Sequence, residues 1–281
     1  MRLGFHLSIA GSLLRAIKQA QVLGCQALQI FIQNPRAWKW RDIPGQEIDA
    51  FVSARRLAGL GPLAVHLTYL PNLASVAGAL YQKSGERLVQ ELALARDLEA
   101  DYLICHPGHA PLEPESFRRV ARALAAAVHQ IPPPPLVLLE NTAGQGQELG
   151  WRPEQLGWIM GLAGVDLGLC LDTSHAFGAG YDLRHPAGVA RLLAETARGP
   201  GLDCIKIIHL NDSLAPLGSR RDRHAHLGQG TLGLAGFSNL FSHPWLRPMA
   251  AIMETPKRYQ ADEWRNLLTA RSLISTKMLG G

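Results

Sequence analysis

Six apolar runs in this chain each close on a side chain able to bind a metal ion, and they return at nearly regular intervals. They are LAVHL with His66, YLICH with His106, LVLLE with Glu140, LGLCLD with Asp172, IKIIH with His209 and AAIMET with Glu254. Successive members lie 32 to 45 residues apart, the length of a strand, a loop, a helix and a second loop. A parallel strand buried on both faces is written as an unbroken run of Val, Ile and Leu, and parallel neighbours need a crossover between them. Helices supply the crossovers. Phe117, Val120, Ala121, Leu124 and Val128 fall on one helical face with Arg118, Arg119 and Arg122 off it, and Leu88, Leu92, Ala95 and Leu98 repeat the pattern. Two earlier runs, LGFHLS from Leu3 and ALQIFIQ from Ala27, bring the strand count to eight. Eight strands alternating with helices in 281 residues predict an α/β fold, a single (β/α)8 TIM barrel with its chemistry at the C-terminal face of the strands.

The rest of the chain agrees with one domain spanning residues 1–281. With 47% hydrophobic residues it can bury a full core, and no Ser/Gly-rich linker divides it. The Pro132 to Pro135 run stands immediately before LVLLE, where a stiff loop feeds a strand. No apolar stretch is long enough for a membrane span, and the N-terminus makes a poor signal peptide. Cys25, Cys105, Cys170 and Cys204 lack CxxC spacing, which fits a reducing cytoplasm. Strand alternation turns Cys105 toward the helices and sets Cys170 one layer beneath Asp172, so both are expected to be core thiols. The net charge is +5 with pI ≈ 9.2, and Arg outnumbers Lys 22 to 6, which favours the planar donor that grips phosphate bidentately.

Ligand type narrows the chemistry. His, Asp and Glu without Cys suit Zn, Mn, Fe or Co at a catalytic site. Three further candidates lie just past strand ends: His175 in LDTSHAF, and Asp222 with His224 in SRRDRHAHLGQG. An extended D-x-H places both side chains on one side of the backbone, so they can clamp one ion; His226 continues the alternation as a competitor. The nine residues comprise five His, two Asp and two Glu, enough for three ions if one carboxylate bridges. A single ion would leave most of them idle.

The segments ENTAGQG, LDTSHAFGAGYDLR, HLNDS, GSRRDRHAHLGQG and MET, together with FHLSIAGSL, QNPRAW and CHPGH, resemble those of the endonuclease IV family of zinc-dependent apurinic/apyrimidinic endonucleases, in order along nearly the whole chain. That resemblance implies three Zn2+ ions, with Mn2+ also compatible at one or more positions. His66, His106 and Glu140 would hold the first. Glu140 would bridge to a second completed by Asp172, His209 and Glu254, and His175, Asp222 and His224 would hold the third. It also implies hydrolysis 5′ to abasic sites in double-stranded DNA by a monomer, with Glu140 orienting the attacking hydroxide or acting as base. Arg36, Tyr69 and Leu70 match family positions that enter DNA at the lesion. Arg220, Arg221 and Arg223 are candidate phosphate contacts. One departure is LGQG, with Gln229 where the family commonly has Glu.

A rival enzyme is a sugar isomerase or epimerase on the same barrel. Glu140, Asp172, His209 and Glu254 resemble the single-metal site of that related superfamily, but it leaves the other five candidates without a task. A noncatalytic lesion binder is a third class, and binding alone needs no activated water.

Overall fold

The computed structural model describes residues 1–246, 249–257 and 259–278. Seven strands come first: β1 (Arg2–Leu7), β2 (Ala27–Ile30), β3 (Leu63–His66), β4 (Tyr102–Cys105), β5 (Leu136–Glu140), β6 (Leu167–Asp172) and β7 (Ile205–His209). A short antiparallel ribbon follows, β8 (Asp212–Ser213) on β9 (His224–Ala225), and then β10 (Ala250–Met253). All but the ribbon are parallel and close a barrel in sequence order, β10 completing the ring between β7 and β1. The crossovers are α1 (Leu13–Leu23), α2 (Gly45–Leu57), α3 (Gly78–Asp97), α4 (Pro114–Gln130), α5 (Pro153–Ala163), α6 (Thr173–Gly178), α7 (Pro186–Arg198) and α8 (Gly233–Phe241), with α9 (Gln260–Met278) last.

Local chemistry explains the boundaries. α4, α5 and α7 begin at Pro114, Pro153 and Pro186, where the missing N–H is not needed. α1 stops at Gly24, whose left-handed conformation (φ 69°) lets its N–H reach back to the Ala20 and Gln21 carbonyls. α4 buries Phe117, Val120, Ala121 and Leu124 as its periodicity predicts, with Val128 half-buried. The proline run feeds β5 directly.

The strands build two apolar layers. Leu28, Val65, Leu103, Cys105, Val137, Leu139 and Met253 face outward into the core shared with the helices. Ala27, Ala64, Ile104, Leu138, Cys170, Ile207, Ala250 and Ile252 form a separate plug inside the barrel. Both cysteines therefore lie in the expected layers, and burial pushes each thiol up to about 12. Each fully buried Leu or Ile contributes about 1.5–3 kcal/mol by burial. Strand alternation then sets the next inward position, two residues beyond the plug, at the C-terminal rim. No helix among the described residues is long and apolar enough to cross a membrane.

Candidate metal centre

Two residues beyond the interior plug stand Gln29, His66, His106, Glu140, Asp172, His209 and Glu254, and His6 holds the matching position after Gly4 on β1. Every barrel strand thus carries an inward polar side chain at the rim. Gly4 is required where it is: a Cβ there would meet the Ala27 carbonyl oxygen at 2.0 Å. His106 and Glu254 each stand one residue past the last strand residue.

Glu140 is the centre of the arrangement. Its carboxylate is fully buried, with Oε2 3.1 Å from His66 Nε2 and 3.0 Å from His106 Nε2. Its other oxygen, Oε1, lies 3.0 Å from His209 Nδ1 and 3.3 Å from His175 Nδ1. The ligand atoms of His66, His106 and Glu140 lie within 4.8 Å of one another, as do those of Glu140, Asp172, His209 and Glu254, and those of Asp172, His175 and His224. Asp222 joins the last group, its Oδ1 3.4 Å from His175 Nε2 and 3.1 Å from His224 Nε2. All nine candidate ligands are thus brought together, and Asp172 touches the second and third groups.

Hydrogen bonds on the outer side of four of the five rings fix which nitrogen faces inward. His66 Nδ1–H donates to the Leu67 carbonyl (2.7 Å), His175 Nδ1–H to Asn141 (2.9 Å) and His224 Nδ1–H to Glu254 (3.3 Å). His209 Nε2–H donates to Gln29 Oε1 (2.8 Å). The remaining nitrogen of each neutral ring is then a lone pair aimed at a carboxylate oxygen, which is repulsive unless a cation lies between them. Among them His224 Nε2 is buried with no hydrogen-bond partner. The donor set therefore fits a cluster of divalent cations.

The same crowding appears in the titration of the side chains. Burial would lower the histidines, but the carboxylates overcome it. Asp222 and Asp172 lift His224 to about 9, Glu140 raises His106, and Asp172, Asp222 and Glu140 hold His175 well above its usual range. His209 also stands well above its usual range, where Cys170, Glu254 and Glu140 outweigh burial. Conversely, burial opposes ionisation of Glu140, Glu254 and Asp222, yet the neighbouring imidazoles hold all three below the usual carboxylate range. A proton and a metal ion would compete for these same inward nitrogens.

Further hydrogen bonds hold the ligands still. Asp172 caps α6, Oδ1 accepting the His175 N–H at 2.7 Å, while Asn211 Nδ2 donates to its Oδ2 at 2.7 Å. Asn141 and Asp172 exchange side-chain and backbone bonds (2.7 and 3.1 Å). The ribbon carrying His224 is anchored by Asp212, a buried carboxylate that accepts the N–H groups of Ser213, Gly228, Gly230, Leu232 and Gly233 at 2.8–3.2 Å. Gly230 must lack a side chain, because a Cβ would come within 2.4 Å of Asp212 Oδ1. Gln229 is exposed, so the LGQG loop is held by Asp212 and its own backbone rather than by residue 229. His226 turns toward α9, its Nδ1 3.0 Å from Asn266 Nδ2, and leaves His224 as the partner of Asp222.

The candidate DNA contacts flank the mouth. Tyr69 is 60% exposed, stands edge-on to Phe31 at 5.0 Å and borders a cavity of about 830 Å³ that reaches His224 and Glu254. Its N–H donates to the Pro35 carbonyl at 3.1 Å, tying its loop to the one bearing exposed Arg36; Leu70 is half-buried. Arg220, Arg221 and Arg223 are exposed and line a second cavity of about 600 Å³ with Gly144 and Gln145. Arg220 stacks on Trp151 at 4.5 Å. Sequence reasoning passed over His6, Gln29, Asn141, Asn211 and Asp212. The period of two that placed the ligands would have found the first two.

A family model described as a xylose isomerase-like TIM barrel matches residues 17–272. Probable endonuclease 4 of Methanosphaerula palustris is 40% identical, covering 97% of this chain and 98% of its own. Endonuclease 4 of Thermus thermophilus is 41% identical, covering 97% and 98%. A crystal structure of endonuclease IV from another strain of Thermus thermophilus matches with a TM-score of 0.89 at 38% identity, covering 98% of this chain and 100% of that one. A D-tagatose 3-epimerase-like protein matches with a TM-score of 0.74 at 17% identity over 99% of both chains, a likeness of fold alone. The chain belongs to the endonuclease IV family, within the xylose isomerase-like TIM barrels.

Proposed function

We propose that the chain is a metal-dependent DNA-repair hydrolase that cuts the phosphodiester 5′ to abasic sites in double-stranded DNA, leaving a 3′-hydroxyl and a 5′-deoxyribose phosphate. Relatives named endonuclease 4 support DNA cleavage. The observation that carries the finer reading is the shared carboxylate: Glu140 faces His66 and His106 with one oxygen and His209 with the other. Beside it, His175, Asp222 and His224 form a third group. Zn2+ held by these nine residues, with Mn2+ compatible at one or more positions, supplies charge neutralisation of the phosphate, a hydroxide near neutral pH and stabilisation of the departing alkoxide. Glu140 is the catalytic residue, buried and ionised, orienting the attacking water or taking its proton. His175, Asp222 and His224 serve the leaving-oxygen side. Arg36, Tyr69 and Leu70 fill the gap left by the missing base, since a baseless nucleotide is cheap to extrude, and Arg220, Arg221 and Arg223 hold phosphates as the chain acts as a monomer.

A single-metal sugar epimerase uses only Glu140, Asp172, His209 and Glu254, and it leaves the remaining five polar groups converging on the same cavity without a role. A duplex carrying one tetrahydrofuran abasic analogue separates the readings, because the analogue cannot undergo β-elimination. The expected outcome after zinc reconstitution is one cut 5′ to the analogue, abolished by EDTA. An intact duplex would overturn the proposal, and ketose turnover with about one metal per chain would put the epimerase in its place.

A further inference from the structure

The rim position on β2 is occupied by a neutral amide. Gln29 lies between Leu28 and Ile30 in a wholly buried strand and is itself 0% exposed. A buried amide in an apolar strand is costly unless each of its polar atoms is satisfied. Here they are satisfied almost entirely by the candidate metal ligands. Nε2 donates to Glu254 Oε1 at 2.7 Å and lies 2.9 Å from His6 Nδ1, while Oε1 accepts the His209 Nε2–H at 2.8 Å. The orientation of the amide is forced, because an ionised carboxylate only accepts, so the NH2 group must face Glu254 and the oxygen must face His209.

We propose that Gln29 is a positioning residue of the metal centre, whose single amide fixes the ring of His209 and the carboxylate of Glu254 together. The proposal rests on the three-group reading of the centre given above. His209 ends β7 and Glu254 directly follows β10, whereas Gln29 reaches them from β2, across β1. By accepting from Nε2, Gln29 commits the His209 proton to the outer side and leaves Nδ1 as a lone pair. That nitrogen lies 3.0 Å from Glu140 Oε1 and 3.4 Å from Glu254 Oε2, where the second group converges. By donating to Oε1 of Glu254, the same amide leaves Oε2 of that carboxylate turned toward His209. One neutral side chain thereby orders two of the four ligands of the second group without adding charge. Its hydrogen bonds reach ligands of that group alone, so its loss should be felt at one metal position out of three. An outer partner of a metal ligand is typically worth 10–100-fold in affinity or activity.

The test compares the wild-type chain with Gln29→Met, which keeps the length of the side chain and removes both hydrogen bonds. Each is loaded with zinc, and zinc retained per chain is measured against chelators of graded strength. Expected is the loss of one equivalent at a free-zinc level roughly 10-fold or more above that at which the wild type loses it. On the abasic-analogue duplex, kcat should fall by roughly the same factor with KM for DNA within about twofold. Superimposable zinc retention with unchanged kcat would overturn the proposal, and so would equal weakening of all three equivalents. Should Gln29→Met not fold, imidazole nitrogen NMR of the wild type decides. A slowly exchanging Nε2–H on His209 supports the proposal, with or without metal, and a freely exchanging one refutes it. Failure of the wild type to take up zinc or to cut DNA would instead refute the functional reading, while the His209 proton would still report on Gln29.

Discussion

Glu140 has two carboxylate oxygens and four imidazole neighbours, and each imidazole for which the outer bond is fixed has its other nitrogen turned inward. That economy makes single substitutions informative. His175 has its Nδ1–H tied to Asn141 and its Nε2 facing Asp222, in the group assigned to the leaving oxygen. His175→Ala is expected to lower turnover on an abasic duplex by roughly 10-fold or more while changing lesion affinity by less than about threefold, measured by single-turnover cleavage and by binding with cleavage suppressed. Equal losses in both would mean that the group holds substrate rather than stabilises departure. At this scale the sequence was readable wherever an acid or a histidine closed an apolar run. Gln29 and His6 stand at the same rim position on β2 and β1, but neither closes its run, so a search keyed to terminal ligands passed over them. Asp212 was hidden for a different reason: its role is to receive five backbone N–H groups, four of them from a loop some twenty residues away, a relation that spacing does not encode.

Among the elements, α3 does more than cover the barrel. Arg87 and Glu91 lie one turn apart on its buried face, and each holds a different loop of the mouth. The Arg87 guanidinium donates to the Trp38 carbonyl and packs on the Trp40 ring at 5.1 Å, behind the loop carrying Arg36. Glu91 accepts the Thr68 hydroxyl at 2.7 Å and its N–H at 3.3 Å, fixing the loop carrying Tyr69 and Leu70. Burial pushes the Glu91 carboxyl up to about 7, against the Thr68 bonds and the charge of Arg87 3.9 Å away. The folded chain thus binds this proton more tightly than the unfolded chain, so the stability linked to it is full below about 4.5 and is lost as pH rises through about 7. Glu91→Gln removes that dependence. In denaturant unfolding, its stability relative to the wild type should rise by on the order of 3 kcal/mol from pH 5 to pH 8, and a constant difference would contradict the assignment. The helices and strands were legible from periodicity because burial on one face or two writes itself into the residue order. The β8–β9 ribbon was not, since two-residue strands carry no period, and the segment around His224 reads as a basic loop until its pairing with Asp212 and Ser213 is seen.

For the molecule as a whole, the net charge of +5 gains meaning from where the arginines stand. Arg36 lies in the loop after β2, and Arg220, Arg221 and Arg223 lie in the loop between β8 and β9, Arg223 bordering both cavities. If the second set holds phosphates, Arg221→Ala and Arg223→Ala should each weaken binding of any duplex. Each should also reduce the slope of log affinity against log salt by about 0.9, measured by titration at several salt concentrations. An unchanged slope would remove that residue from the interface. Beneath the rim, the plug of Ala27, Ile104, Leu138, Ile207 and Ile252 fills the barrel from inside. The vessel is closed at its foot, so traffic to the centre is one-way in space. Any ion, water or chelator would have to share the opening over which a duplex would lie, and a seated duplex would then act as a stopper on whatever the centre holds.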